Sequence, residues 1–215
     1  MTRLAIIAHP RSGTGYAARL FQACGLDIGH ERLGRDGISS WWWATPESLN
    51  GPPRPPAFNE GNYEGWEIIH LIREPAGVID SVRFTEPKSQ PFRCHYGDID
   101  FRTFDPIQHA IDSLYSWNIL ISEMKPKHTI ATENLLEFVQ HRMNLKVNKE
   151  MLPSKHYNTR LRNITPLTGP HKLQHEDLLP YPRYREMYAL WKSLKEISYD
   201  ADLNPSQGEA SRAAH

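Results

Sequence analysis

Cysteine is nearly absent: Cys24 and Cys94 are the only two in 215 residues. They are far apart and form no Cys-x-x-Cys pattern, which argues against a disulfide framework and a zinc site and for a reducing compartment. A surplus of one charge is missing too, because 25 Lys+Arg balance 25 Asp+Glu. A nucleic-acid binder usually carries a basic surplus, so no nucleic-acid partner is expected. No apolar run is long enough to span a bilayer. Met-Thr-Arg leads straight into a strand pattern, without the charged and apolar regions of a signal peptide. The expectation is a cytoplasmic protein without membrane contact, of a length that suits one domain. Residues 1–201 are expected to form that domain. Residues 202–215 have almost no apolar content and are expected to be a disordered tail.

What is present is alternation. Arg3 to His9 is a short apolar run ending before Pro10, as in a strand buried on both faces of a parallel sheet. Tyr16, Leu20, Phe21 and Cys24 then recur at helical spacing, with Gly25 placed to end that helix. Leu26 to Gly29 reads as a second strand and Glu67 to Ile72 as a third. A helix is expected from Ala76 to about Phe84, opened by Pro75. A longer helix is expected from Ile107 to Met124, then a strand from His128 to Thr132 and a helix through NLLEFVQHR. Met187, Trp191 and Leu194 mark a last amphipathic helix. Strand alternating with helix gives an α/β class with a central parallel sheet flanked by helices. Residues 50–65 and 85–106 break the pattern and read either as substrate loops or as plain surface excursions.

The stretch HPRSGTGY, residues 9–16, joins the first strand to its helix. Gly13 lets the backbone turn and present N–H groups, which together with a helix N-terminus near Thr14 make an anion site. Ser12 and Thr14 add hydroxyls, and Arg11 adds a charge able to meet two oxygens at once. A second segment, HLIREPAGVIDSV, puts Arg73 at the carboxyl end of a strand and Ser81 eight residues on. Ligands of doubly wound sheets bind beyond the carboxyl ends of strands, so Arg11 and Arg73 lie at the edge where one ligand can meet both.

This pair of motifs resembles the donor-binding motifs of sulfotransferases that use 3′-phosphoadenosine 5′-phosphosulfate (PAPS). Pro10, Arg11, Ser12, Gly13 and Thr14 match the family's loop, with the arginine form most like the carbohydrate and tyrosylprotein branches. The resemblance implies a three-layer P-loop-type fold. It assigns the 5′-phosphosulfate to the loop, residues 11–16 from Arg11 to Gly15 and Tyr16, and the 3′-phosphate to Arg73 and Ser81. Gly15 is a departure, because many members have a second Thr there. TIATENLL, residues 129–136, is similar to the family's strand-then-YEDLL segment, and the helix ending in SYDAD resembles its closing helix.

Sulfuryl transfer requires the donor to be held, the leaving phosphate to be stabilised and a proton to be taken from the acceptor. Arg11 and the loop suit the first two, and no metal is needed in principle. For the third, His30 and Glu31 close the second strand, and adjacent strand residues point to opposite sides. Gly29-His30-Glu31 is similar to the Gly-Glu-Glu of the tyrosylprotein enzymes, which favours Glu31 as the base; a structural ion pair with Arg32 or Arg35 is the alternative. Trp41, Trp42 and Trp43 are consecutive, so core packing and an acceptor pocket both remain open for them. Arg160, in the basic run 146–162, either faces solvent or covers the donor phosphates. The expected activity is transfer from PAPS to a small-molecule, glycan or peptide acceptor, with adenosine 3′,5′-bisphosphate as product. The alternatives are a kinase of a nucleotide or small molecule and a non-catalytic nucleotide-binding protein. Against the kinase stands the missing lysine directly after the loop glycine.

Overall fold

The structure, a computed structural model, describes residues 2–45, 53–83, 90–97, 105–152 and 172–203. Its centre is a five-stranded sheet, all parallel, of β1 (Arg3–Ile7), β2 (Ile28–His30), β3 (Gly37–Ser40), β4 (Trp66–Ile72) and β5 (His128–Ala131), in the order β2-β3-β1-β4-β5. The α/β class with a central parallel sheet is thus observed. Alternation along β1 assigns the two faces. Leu4, Ile6 and Ala8 point to the side of α1 (Thr14–Ala23) and pack with Leu20, Phe21, Leu71 and Leu135. Ala5 and Ile7 point to the side of α5 (Pro106–Glu123) and pack with Trp43, Trp117 and Ile121. Burial on both faces explains why β1 and β4 read as apolar runs.

Three further helices complete the layers. These are α3 (Pro75–Val82), α4 (Gln90–Gly97) and α8 (Pro182–Leu203), with short α2 (Pro56–Asn59), α6 (Leu135–Glu137) and α7 (His175–Leu178) between them. α3, α5 and α8 share a core around Ile79, Leu114 and Met187, and Trp191 and Leu194 of α8 lie against Ile72 and Ala131. The backbone supplies the helix ends. Gly25, at φ 84°, closes α1 with N–H bonds from Gly25 to Gln22 and from Leu26 to Phe21, a Schellman arrangement. Pro106 opens α5 behind Asp105, whose carboxylate accepts from the N–H groups of Ile107 and Gln108.

Three details differ from the sequence reading. β3 was not expected, because GISS offers one large apolar residue and only four positions. Its serines are nevertheless buried, since β3 lies between β2 and β1. The segment expected as one helix through NLLEFVQHR is a 3₁₀ turn, the single α-turn of α6 and a π-helical turn at Phe138–Arg142. α8 continues through Leu203, so residues 202 and 203, expected in a disordered tail, are helical; residues 204–215 lie outside the described residues. The irregular stretches 50–65 and 85–106 are described only in part, and they contain α2 and α4. Among the described residues no helix is long and apolar enough to cross a membrane.

Candidate functional site

The loop between β1 and α1 forms the centre of the carboxyl edge. Gly13 caps α1 at φ 104°, a left-handed conformation natural to glycine. It also sits against Thr132 after β5, where a Cβ at position 13 would lie 2.7 Å from Thr132 Cγ2. Thr132 Oγ1 donates to the Ser12 carbonyl at 2.6 Å, so the far strand clamps the loop. No side chain caps the first turn of α1 and no acid lies in it. Those N–H groups and the positive end of the helix dipole therefore suit an anion. The neighbouring helix differs: the carboxylate of Glu74 accepts from the N–H groups of Ala76 and Gly77 and closes α3 itself.

Arg11, Arg73 and Ser81 come together at this edge although 62 and 70 positions separate the last two from the first. Arg11 Nε donates to Ser81 Oγ at 2.8 Å, and Arg73 Nη1 donates to the Arg11 carbonyl at 3.1 Å. Arg11 adopts φ 70°, rare for a side chain larger than glycine. The hydroxyl and the guanidinium together hold it there. Arg73 is exposed and Arg11 and Ser81 are half-buried, so the cluster faces outward beyond β4.

The other side of the loop carries His30 and Glu31. Thr14 Oγ1 lies 3.2 Å from His30 Nε2. The ring also faces Gly15, where an added Cβ would sit 3.4 Å from His30 Cε1. The glycine that departs from the family pattern is thus where this imidazole sits. Burial and then the charge of Arg19 push the His30 pKa below its usual value, so the ring is neutral at neutral pH. Glu31, at φ 52°, turns its carboxylate toward β3: Ser40 Oγ donates to Oε2 at 2.5 Å and the Trp41 N–H to Oε1 at 3.3 Å. Its Oε1 is 3.7 Å from His30 Nε2. The alternative, an ion pair with Arg32 or Arg35, is not the contact that holds it; Arg35 pairs instead with Asp36.

The remaining expectations resolve individually. Trp43 is fully buried against Phe58 and Trp66, which makes it core. Trp41 is buried as well, and its carbonyl accepts from Trp117 Nε1 at 3.1 Å. Trp42, stacked on Trp41 at 4.0 Å, is half-buried. Ser12 is buried and Tyr16 packs half-buried against the α1 core, where burial raises its pKa; both contribute through the loop backbone or through packing. Arg160 lies outside the described residues. Sequence reasoning missed Thr132 and the buried serines of β3. Ser39 donates to the Thr14 carbonyl at 2.8 Å, and Ser40 anchors Glu31. Neither contact has a local signal, because each partner is more than eight positions away.

No protein-family model matches the chain, and no curated protein matches it. Among solved structures, a sulfotransferase domain from the curacin biosynthetic pathway aligns with 90% of this chain and 97% of its own, at a TM-score of 0.51 and 13% identity. The fold is sulfotransferase-like. At that identity the likeness concerns the overall architecture alone.

Proposed function

We propose that this chain is a sulfotransferase, moving a sulfuryl group from PAPS to a hydroxyl or amine acceptor. One observation carries the reading: at a sheet edge that holds a helix N-terminus without a side-chain cap, Arg11, Ser81 and Arg73 come together through two hydrogen bonds that span more than 60 positions each. The sulfotransferase-like fold supports it.

In this reading the loop N–H groups and Arg11 take the 5′-phosphosulfate. Arg73 and the Ser81 hydroxyl take the 3′-phosphate; a hydroxyl can accept from Arg11 and still donate its own proton. The acceptor oxygen or nitrogen attacks sulfur in line with the bond to the 5′-phosphate. That S–O bond breaks, and its electron pair leaves with adenosine 3′,5′-bisphosphate. Arg11 stabilises the charge that builds on the departing phosphate, where a preorganised cation contributes most. The acceptor's proton goes to His30 Nε2. The imidazole has the place for this role, beside Thr14 at the loop, and is neutral, whereas the Glu31 carboxylate is engaged by Ser40 and Trp41. Glu31 Oε1, 3.7 Å from the same Nε2, lies where its charge favours the imidazolium formed during transfer.

Calorimetry tests the donor assignment. Adenosine 3′,5′-bisphosphate should bind well in preference to AMP, and Arg73→Ala should weaken it at least about tenfold, since a hydrogen bond to a charged group contributes roughly 1.5–3 kcal/mol. AMP binding should hardly change. Equal affinity of the wild type for both nucleotides would overturn the assignment.

A further inference from the structure

A cavity of about 210 Å³ opens beside the loop, between α1 and the turn that follows β2. Gly15, Ala18, Arg19 and Gln22 form one wall, spaced along a single helix face. His30 and Arg32 form the other. Two of the six lining residues, Arg19 and Arg32, are cationic and none is acidic, in a chain whose charges balance overall. Glu31, the nearest acid in sequence, does not line the groove; its carboxylate is held by Ser40 of β3 and by the Trp41 N–H, with Oε1 3.7 Å from His30 Nε2. Arg19 lines the groove, and its charge acts on the His30 ring across it. Liquid water occupies about 30 Å³ per molecule, so the groove has room for one sulfate- or carboxylate-sized group with part of its carrier.

The sheet order says which ligand this concerns. The donor contacts of the preceding reading run from the β1 loop toward Arg73 after β4, while β2 is the edge strand on the opposite side. The groove begins at Gly15 and His30, where the transferred group would lie, and leads away from the donor. We propose that it holds an anionic group carried by the acceptor, a carboxylate or a sulfate or phosphate ester, through Arg19 and Arg32. The word acceptor rests on the sulfotransferase reading; the anion site rests on the groove. Gly15 and His30 border both the groove and the loop, which places that anionic group on the acceptor's side of the transferred group.

The test uses inorganic sulfate as the probe and the Gly15 amide and His30 ring resonances as the readout, with the protein saturated by adenosine 3′,5′-bisphosphate so that the phosphate positions are filled. Sulfate should move these resonances along a saturable curve. The exposed pair Arg19→Gln/Arg32→Gln should weaken that response tenfold or more while nucleotide affinity and melting temperature stay close to wild type. An unchanged curve in the double variant, or a response that sodium chloride reproduces at equal ionic strength, would overturn the proposal. Should the nucleotide fail to bind, the sulfotransferase reading falls. The same titration of the free protein, run in an Arg11→Ala background to remove the loop site, then still decides whether the groove takes an anion.

Discussion

His30 and Glu31 are adjacent in sequence, yet the backbone separates their environments. β2 ends at His30, and the positive φ of Glu31 rotates the next side chain toward β3. The imidazole is left beside Thr14 and the carboxylate beside Ser40. The exchange His30→Gln should therefore lower sulfuryl-transfer turnover by about 10²- to 10⁴-fold, the usual contribution of a general base, while adenosine 3′,5′-bisphosphate affinity holds. Glu31→Gln, which keeps one acceptor oxygen for Ser40 or Trp41, should be milder. A base must be unprotonated, so the rate should be lost as pH falls through the lowered His30 pKa, giving a limb below about 6.5. An inactive Glu31→Gln beside an active His30→Gln would move the base to Glu31, as the Gly-Glu-Glu resemblance suggests.

At the scale of elements, β3 shows how a weak local signal becomes a definite strand. Gly37 pairs with Leu4 of β1 and with Ile28 of β2. It adopts φ 146°, and a Cβ there would come within 2.0 Å of the Leu4 carbonyl oxygen. Only glycine fits the start of this strand. Gly37→Ala should cost at least about 2 kcal/mol, the scale of a buried clash or a strained backbone. Urea denaturation would measure it as a lower midpoint with an unchanged slope. Because β3 carries Ser39 and Ser40, any folded Gly37→Ala protein should also show altered Thr14 and Glu31 surroundings. A wild-type midpoint would show that β1 yields easily at Leu4.

At the scale of the whole molecule, two imidazoles are buried between the sheet and α5. His9 Nε2 lies 2.8 Å from Ser113 Oγ, and His70 Nε2 lies 3.0 Å from Asn118 Oδ1. Burial lowers both pKa values, that of His9 well below its usual value with further help from Arg93, and that of His70 to about 4. The unfolded chain binds these protons near pH 6.5, before the folded one does. The associated stability is complete above that pH and is lost as pH falls toward 4. For His70 the loss amounts to about 3 kcal/mol at the lower end, taking 1.36 kcal/mol per pKa unit. Urea midpoints should thus drop steeply between pH 6.5 and 4, and His70→Gln should flatten that dependence even if it lowers stability at neutral pH. An equal slope in the variant would remove His70 as a cause.

The sequence by itself determined the periodic features of this protein. A short apolar run ending before HPRSGTGY fits a strand buried on both faces, and the 3.6-residue spacing through α5 and α8 specifies helices with one packed side. Glycine at 13 and 25 already implied a turn and a helix end. Contacts between distant positions were not legible in this way. That Arg11 meets Ser81, that Thr132 clamps Ser12, and that Trp43 is core while Trp42 remains half-exposed all follow from strand order and layer packing. The parity of His30 and Glu31 depended on where β2 stops, which pairing with β3 decides, and β3 itself has too few residues to announce a period. A side chain's local pattern reports the element it belongs to. Its chemical neighbours come from other elements, and only the tertiary fold brings them within hydrogen-bonding distance.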